Sequence, residues 1–228
     1  MTIFITGTDT DIGKTFITGL LADFFLGKGL KVEVQKWAST GRAEYSDDIS
    51  FIYGLMKREG VPSANSAASP YCFSFPASPH FAAELDGRFI EKRRLAETTG
   101  FLAGQCDILL IEGAGGIMVP LARGLLTIDL IKEFDLPVIV TARSGLGTLN
   151  HTLLTLEAIK IRNMRVLCVI LNNQIHEDQS IVYDNLRTLR EFSDVPIFGP
   201  VPRVATPEDA SASIEPMGLY LLEWLKRS

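Results

Sequence analysis

Short apolar runs recur along the chain and predict strands that are buried on both faces. They occupy residues 3–5, 108–111, 138–140 and 166–171, and the Val-Glu-Val segment at residues 32–34 has the same character. A strand of a parallel sheet has such a continuous apolar run because helices cover both of its faces. We therefore expect these segments to form the interior of a sheet.

Helical spacing of apolar residues follows the strands. Residues 14–25 carry apolar side chains three and four positions apart, and residues 148–162 and 179–192 are the clearest later helices. A repeated strand-then-helix order predicts an α/β fold with a mainly parallel sheet and helices on both faces. No internal repeat or charge block divides the chain, so we interpret residues 1–228 as a single domain.

One segment, residues 63–79, follows neither pattern. It is small, polar and proline-rich, and predicted strands lie on both sides of it. The segment is therefore predicted to be a long loop inside the domain. Long ordered loops in compact domains often have a function.

Composition and charge narrow the range of partners. The chain of 228 residues is 46% hydrophobic, which suffices for one sizeable core. Its 27 acidic and 22 basic residues leave a net charge of −5, without a basic footprint for nucleic acid or an anionic membrane. No apolar run approaches the ~20 residues of a membrane span. We expect neither nucleic acid nor membrane as a partner.

Cysteine usage and the N-terminal residues indicate a reducing compartment. The three cysteines lie far apart and form no Cys-x-x-Cys pair, which is not the pattern of a disulfide framework. Met1 leads directly into the first predicted strand, without the basic and apolar segments of a secretion signal. We therefore expect a cytoplasmic protein.

The strongest motif is Gly-Thr-Asp-Thr-Asp-Ile-Gly-Lys-Thr at residues 7–15, between the first strand and the first helix. Glycines let such a loop curl until its amides converge on phosphate oxygens, and the helix N-terminus adds partial positive charge. In a P-loop of this kind, Lys14 reaches the β- and γ-phosphates and the Thr15 hydroxyl ligates Mg²⁺. The spacing is unusual, because Thr8 stands at the first-glycine position of the standard motif. These residues predict a site for a Mg²⁺-bound nucleotide.

Two strand ends carry further candidate residues. Glu112 ends a buried strand and precedes Gly-Ala-Gly-Gly at residues 113–116; an acid at this place lies near Mg²⁺ in P-loop proteins. The alternative is an ordinary tight turn. Lys36 leaves the second strand and opens a loop of small residues, where it serves either the site or only solvation.

Two helix starts are also candidates. Asp47 follows Ser46 and is a candidate metal ligand, and the sequence leaves open whether Asp47 or its neighbour Asp48 would bind the metal. Ser46 and the two acids equally fit a helix N-cap, and both interpretations can hold together. Residues 145–150, Gly-Leu-Gly-Thr-Leu-Asn, precede a helix of about fourteen residues, and its exposed amides would form a second anion site. A plain glycine-rich connection is the alternative for this segment.

Together these motifs resemble the dethiobiotin synthetase family, ATP-dependent enzymes that close the ureido ring of the biotin precursor. The family loop reads Gly-Thr-Asp-Thr-x-x-Gly-Lys-Thr, which residues 7–15 match, including the unusual spacing. The resemblance runs from residue 2 to residue 202. It continues through Lys36, Gly41, Asp47, Ser69-Pro70-Tyr71, Ser78-Pro79-His80, Glu112 to Gly116, Gly147, Asn150-His151 and Asn172.

The resemblance implies a P-loop fold with a parallel sheet of about seven strands and a homodimer with a shared active site. It implies roles for the matching residues. The nucleotide, ATP, would be bound by Thr10, Asp11, Ile12, Gly13, Lys14, Thr15, Phe16, Glu112, Gly115 and Asn172, the last at the adenine. Mg²⁺ would be held by Thr15, Asp47 and Glu112. The diamine substrate would be bound by Lys36, Thr40, Gly113 and Gly116, and its carboxylate by Gly147, Thr148, Leu149 and Asn150 of the neighbouring subunit.

The chemistry implied by the resemblance joins CO₂ to 7,8-diaminononanoate (7,8-diaminopelargonate) and yields dethiobiotin, ADP and phosphate. One amine takes up CO₂ as a carbamate, which attacks the γ-phosphate to form a mixed carbamic–phosphoric anhydride. The second amine then attacks that carbonyl and expels phosphate. Lys14 and Lys36 would neutralise the γ-phosphate and the carbamate. Such phosphoryl transfer depends on positioning and charge more than on protein nucleophiles.

A rival from another class is a switch ATPase like ParA or MinD, which would share the fold. Those proteins usually place a second lysine early in the P-loop, where this chain has Thr8 and Asp9. Their membrane-binding forms end in a basic amphipathic helix, and residues 219–227 hint at one. We expect this tail to pack against the body of the protein instead.

Overall fold

The computed structural model describes residues 1–173 and 177–227. The strands are β1 Thr2–Gly7, β2 Val32–Lys36, β3 Ser39–Thr40, β4 Cys72–Phe73, β5 Ile108–Gly116, β6 Pro120–Ala122, β7 Leu125–Leu126, β8 Val138–Arg143, β9 Val166–Asn172 and β10 Ile197–Val201. The helices are α1 Lys14–Gly27, α2 Asp47–Leu55, α3 Pro79–Leu85, α4 Lys92–Ala103, α5 Thr127–Glu133, α6 Thr148–Ile161, α7 Gln179–Phe192 and α8 Ser211–Leu225. A short 3₁₀ helix, Pro207–Ala210, precedes α8. The strands and helices predicted from the apolar pattern are all present.

The central sheet is parallel throughout and has the strand order β10-β9-β8-β1-β5-β2. The expected α/β architecture is therefore confirmed, but the expectation of about seven strands is wrong: within the described residues this sheet has six. The loop after β2 explains the difference. Lys36 donates its backbone N–H to the Ala68 carbonyl, and β3 pairs with β4 in a separate two-stranded sheet. The outer edge of β2 is thus covered by the loop of residues 63–79.

Successive side chains of the central strands point to opposite faces of the sheet, so the core consists of two apolar layers. In β1, Phe4 points into one apolar cluster, while Ile3 and Ile5 point into the other. The first cluster is completed by α3, α4, α5, α6 and α7, and the second by α1, α2 and α8. Successive side chains of a strand lie on opposite faces, so continuous apolar runs are what this doubly covered sheet requires.

The C-terminal helix α8 packs against the body of the protein, as predicted. Its buried face consists of Ile214, Met217, Gly218 and Leu221. At Gly218 the helix approaches α1 so closely that a Cβ would lie 2.3 Å from Cε1 of Phe24. Across the described residues, no helix has both the length and the apolar character needed to cross a bilayer.

Candidate active site

The loop of residues 7–15 links β1 to α1 at the carboxyl edge of the sheet, where parallel α/β folds bind ligands. Two of its residues take left-handed backbone conformations, Asp11 with φ 52° and Gly13 with φ 87°. At Gly7 a Cβ would lie 2.6 Å from Cδ1 of Ile12 and 2.8 Å from the Asp9 carbonyl oxygen. A side chain at that position would therefore prevent the loop from closing on itself, which explains why glycine stands there.

Lys14 begins α1 and is buried beneath the loop, with 6% of its surface exposed. Its Nζ donates to the Asp9 carbonyl at 2.9 Å. Burial, together with the neighbouring Lys36 ammonium, lowers the pKa of Lys14 to about 8. A cation held at low pKa inside a curled loop is suited to an anionic ligand, because a bound anion restores its full charge.

Lys36 and Glu112 face each other across adjacent strands. The register of β2 and β5 pairs their Cα atoms directly, at the point where both strands leave the core. Lys36 Nζ lies 2.6 Å from Glu112 Oε1 and donates to the Gly113 carbonyl at 3.1 Å. Both side chains are almost completely buried. The register of β2 and β5 therefore brings two residues that are far apart in sequence into a close ion pair.

Asp48 and Thr15 complete this group. Lys36 Nζ lies 2.7 Å from Asp48 Oδ2. The Thr15 hydroxyl is 2.8 Å from Asp48 Oδ1 and 3.0 Å from Glu112 Oε1. Thr15, Lys36, Asp48 and Glu112, here called the acid–lysine cluster, thus bring two carboxylates, one hydroxyl and one ammonium together from α1, β2, α2 and β5.

The pKa values in the cluster reflect burial and mutual charge. Burial alone would lower the pKa of Lys36, but Glu112 and Asp48 outweigh it and the pKa is raised. Burial opposes ionisation of Asp48, yet the Lys36 ammonium holds the pKa of Asp48 below its usual value. Glu112 differs, because its deeper burial and the nearby Asp48 charge raise its pKa in spite of Lys36. Within the acid–lysine cluster, one ammonium therefore faces two carboxyl groups and neutralises their negative charge only in part.

Asp47, the expected metal ligand, lies outside the acid–lysine cluster. Its carboxylate is exposed and pairs with Arg42 at 3.1 Å. Ser46 caps α2 by accepting from the Ile49 N–H, as the capping interpretation predicted. Asp48 takes the place expected of Asp47, since it lies four residues before buried Ile52 on the inward face of α2. Helical spacing in the sequence contained this signal.

A cavity of about 420 Å³ opens above the cluster. It is lined by Thr10, Asp11, Gly13, Lys14, Thr15, Lys36, Ala38, Ser39, Thr40, Asp48, Glu112, Ala114 and Gly115. The sequence predicted most of this lining, with Asp48 as the alternative to Asp47, but it did not predict Ala38, Ser39 or Ala114 as site residues. Ile12 and Phe16, also predicted to bind the nucleotide, pack inward instead of lining the cavity. Their possible contact is through backbone atoms.

A second cavity of about 460 Å³ adjoins the first and shares Thr10, Asp11, Thr40, Ala114 and Gly115 with it. Its far side is formed by residues 76–79 and Val119. The end of the long proline-rich loop thus borders the site. The prediction that this loop has a functional position agrees with its place beside the cavity.

Asn172 and the start of α6 occupy other parts of the same sheet edge. Asn172 ends β9, and its Nδ2 donates to the Ile12 carbonyl at 3.0 Å, behind the loop. Gly147, with φ 90°, precedes α6, and Thr148 bonds to the Thr152 hydroxyl. Within the described chain, residues 147–150 line neither of these two cavities. Gly113 contributes its carbonyl to Lys36, and Gly116 packs against the backbone of Gly7.

The donor atoms of the cluster fit a hard divalent cation. Two carboxylates and a hydroxyl supply only oxygen, the ligand type that Mg²⁺ prefers. Oε2 of Glu112 is buried and has no hydrogen-bond partner in the described part of the chain. No group of three or more His, Cys, Asp or Glu residues is placed to hold a metal among the described residues. The oxygen set therefore needs further ligands from a bound molecule, as with Mg²⁺ that arrives on a nucleotide.

Solved structures of other proteins have the same fold. A cobyrinic acid a,c-diamide synthase from Mycobacterium smegmatis, crystallised with ADP and magnesium, superimposes with a TM-score of 0.60 at 14% identity, covering 99% of this chain and 96% of the other. The cell-division protein MinD from Aquifex aeolicus gives 0.56 at 15% identity, covering 99% and 95%. At such identities the likeness concerns the fold alone, and it confirms the expected P-loop NTPase fold.

Comparison of the sequence is more specific. A family model described as an AAA domain matches residues 1–211. ATP-dependent dethiobiotin synthetase BioD 2 of Haemophilus influenzae is 39% identical over 79% of this chain and 95% of its own length. ATP-dependent dethiobiotin synthetase BioD of Halalkalibacterium halodurans is 37% identical over 87% of this chain and 83% of its own. The chain therefore belongs to the family of ATP-dependent dethiobiotin synthetases.

Proposed function

We propose that this protein carboxylates 7,8-diaminononanoate with CO₂ and closes the ureido ring of dethiobiotin, with ATP as the energy source and Mg²⁺ as the metal. The observation that carries the proposal is the convergence of Lys14, Thr15, Lys36, Asp48 and Glu112 on one cavity. Family membership makes the chain an ATP-dependent ligase. Nothing in the proposal requires a protein nucleophile, and the cavity is lined by cations, oxygen ligands and backbone amides.

The metal set in this proposal is Thr15, Asp48 and Glu112. The Thr15 hydroxyl is already within 3.0 Å of an oxygen of each carboxylate, so the three groups need little rearrangement. When held by these three residues, Mg²⁺ would neutralise the negative charge that develops during phosphoryl transfer. The protein fixes the ligands by backbone register in β5 and by the cap of α2.

Lys14 and Lys36 approach the cavity from opposite sides and carry out the charge neutralisation. Lys14 enters from the phosphate loop, where it would leave the Asp9 carbonyl for the β- and γ-phosphates. Lys36 enters from the end of β2, contacts Asp48 and Glu112, and lines the same cavity as Thr40. We propose that it binds the carbamate while the carbamate oxygen attacks the γ-phosphate in line. The resulting carbamic–phosphoric anhydride is consumed by the second amine, whose attack is intramolecular and needs only orientation.

The remaining predicted residues form the periphery of the proposed site. Thr40 and the glycines of residues 113–116 would contact the diamine, because they border the two adjoining cavities and their small size leaves room for it. Asn172 is placed behind the phosphate loop and would reach the adenine. Residues 147–150 would bind the substrate carboxylate across a homodimer interface, which is consistent with the exposure of Asn150 in one chain.

The test measures phosphate release from Mg²⁺–ATP and bicarbonate, with and without 7,8-diaminononanoate, together with mass spectrometry of the product. We expect release only when the diamine is present, and a product heavier than the diamine by one carbonyl less two hydrogens. If the rate of phosphate release does not change with the diamine but increases with liposomes or DNA, the protein is instead a switch ATPase. Monoamine analogues of the diamine provide the control, since they form a carbamate but cannot close the ring.

A further inference from the structure

The Lys36 ammonium is bonded to the same oxygens that the proposed metal needs. Its Nζ lies 2.6 Å from Glu112 Oε1, 2.7 Å from Asp48 Oδ2 and 3.1 Å from the Gly113 carbonyl oxygen. The side chain is 6% exposed, so solvent contributes little to holding it there. Three protein oxygens thus satisfy the three hydrogens of one ammonium.

A divalent cation and this ammonium compete for the same lone pairs. Mg²⁺ binds oxygen at about 2.1 Å in near-octahedral geometry and tolerates little distortion. Glu112 Oε1 already receives hydrogen bonds from both Lys36 and Thr15. Two cations that share one carboxylate oxygen inside a buried site also repel each other strongly. Binding of the metal therefore requires that Lys36 move.

We propose that Lys36 is a tethered counter-cation, which holds Asp48 and Glu112 in place in the nucleotide-free protein and yields their oxygens when Mg²⁺ binds with the nucleotide. The released ammonium turns towards the cavity, where the transferred phosphoryl group and the carbamate need it. This inference rests on the proposed function, because that function supplies the metal and the phosphates. Lys36 thus has a second role: its ammonium reaches the reacting groups only when the metal has bound.

The energetics support such an exchange. Without a cation, the buried Glu112 carboxylate would lie beside the partly exposed Asp48 carboxylate, and an uncompensated buried charge is strongly destabilising. Lys36 removes that penalty as long as no metal is present. A metal that binds without nucleotide must break the Lys36 contacts and gains no phosphate ligands in return. The protein should therefore bind a divalent cation poorly by itself and well only with the nucleotide.

The experiment measures binding of Mn²⁺ alone to nucleotide-free protein by electron paramagnetic resonance of the free ion. Lys36→Met is expected to bind Mn²⁺ about tenfold more tightly than the unmodified chain, because the metal no longer has to displace an ammonium from Asp48 and Glu112. Lys14→Met is the matched control, because Lys14 is a buried cation of the same cavity whose Nζ is bonded to the Asp9 carbonyl. Lys36→Arg keeps the charge and should leave Mn²⁺ binding weak.

Thermal unfolding gives a second readout. Lys36→Met should unfold at a lower temperature without metal and gain more stability from Mn²⁺ than the unmodified chain does. Should Lys36→Met fail to fold, the unmodified chain still provides a test through acetylation of its lysines. Saturating Mn²⁺ should then increase labelling of Lys36 and leave labelling of Lys14 unchanged.

Three results would overturn the inference. They are an Mn²⁺ affinity of Lys36→Met no higher than that of the unmodified chain, an equal gain in Lys14→Met, or Lys36 labelling that does not respond to Mn²⁺. Diamine-dependent phosphate release is measured in parallel on the unmodified protein. Absence of that release contradicts the proposed function, whereas unchanged Mn²⁺ binding with normal release contradicts only the role of Lys36 as counter-cation.

Discussion

Lys14 is the residue on which the proposed phosphoryl transfer depends most. Replacement by alanine removes a cation from the transferred group and should cost about 4 kcal/mol of transition-state stabilisation, roughly a thousandfold in turnover. Lys28→Ala, at the other end of α1, removes the same charge away from the cavity and should leave turnover unchanged. Steady-state phosphate release measures both. A Lys14→Ala protein that retains more than about a tenth of the activity would contradict the assignment of the loop.

The lowered pKa of Lys14 predicts a pH dependence of nucleotide binding. Free Lys14 loses its proton at a pH of about 8, and bound phosphates raise its pKa because they favour the charged form. Above that pH, binding must take up a proton, so nucleotide affinity should fall as the pH rises from about 8. Calorimetry in buffers of different ionisation heat measures the uptake. Lys14→Met should show no proton uptake in this range, and a persistent uptake would assign the effect to another group.

The adjacent acids of α2 form a matched pair for testing the metal site. Asp48→Asn should shift the Mg²⁺ activation curve to higher concentration, because Asp48 contacts Thr15 and Lys36. Asp47→Asn should leave the curve in place, since that carboxylate is exposed and pairs with Arg42. Phosphate release measured over a range of Mg²⁺ concentrations distinguishes them. The reverse order of effects would show that Asp47 is the ligand after all.

At the scale of elements, β2 is held at the site by a buried hydrogen-bond network with α4. The Thr99 hydroxyl donates to Gln35 Oε1 at 2.7 Å and accepts from Trp37 Nε1 at 3.3 Å, on the two sides of Lys36. Gln35 also donates to the Ala67 carbonyl. The network thus joins the end of β2 to α4 and to the loop that covers the sheet edge.

Thr99→Val should therefore destabilise the protein by about 1–3 kcal/mol, because it leaves Gln35 and Trp37 with unpaired buried groups. Thr155→Val is the control, since the Thr155 hydroxyl bonds to the His151 carbonyl of its own helix. Loss of such a back-bond within a helix should cost less than about 0.5 kcal/mol. Urea unfolding measures both variants. If both variants lose the same free energy of unfolding, the hydrogen bonds of Thr99 to Gln35 and Trp37 contribute no more to stability than a back-bond within a helix.

At the scale of the whole molecule, the proposed carboxylate site requires a second subunit. Asn150 lies in the first turn of α6, is exposed, and is outside the two cavities described at the site. Asn150→Asp should preserve the helix, because an acid suits its N-terminus, but should repel a substrate carboxylate. We therefore expect this variant to be inactive at ordinary diamine concentration, although its nucleotide binding is normal.

Mixing Asn150→Asp with Lys14→Ala tests the shared site. A mixed dimer would have one site with both lesions and one with neither, so random assortment should restore about a quarter of the original activity. Refolded mixtures are assayed for phosphate release, and mass spectrometry confirms that mixed dimers have formed. If mixed dimers form and activity stays absent, the carboxylate is bound within one chain.

The whole fold does not by itself identify the reaction. A cobyrinic acid a,c-diamide synthase and the cell-division protein MinD share it at 14% and 15% identity, so proteins with different roles have this fold. The packing of α8 against α1 removes the suggestion of a membrane-binding tail. The family assignment comes from the sequence relatives, and the chemistry proposed here comes from the acid–lysine cluster.

The sequence alone predicted the features that depend on residues close together in the chain. The apolar runs predicted the strands, because burial on both faces leaves no place for polar side chains. Residues 7–15 predicted the phosphate loop, because glycines and a helix start are close in sequence and act together. The apolar residues 108–111 likewise predicted the buried strand that carries Glu112, although that strand continues to Gly116.

Tertiary structure decided the features that depend on distant segments. The acid–lysine cluster joins residues 33, 76 and 97 positions apart, and only the register of β2 with β5 and the angle of α2 bring them together. Helical spacing alone puts Asp48 on the same face of α2 as Ile52, but only the packing of that face brings the Asp48 carboxylate to Lys36. β2 is the edge of the six-stranded sheet, and there its Lys36 N–H bonds to the Ala68 carbonyl of the loop of residues 63–79. Motif spacing along the chain contains none of these relations, since each is a contact set by packing rather than by sequence distance.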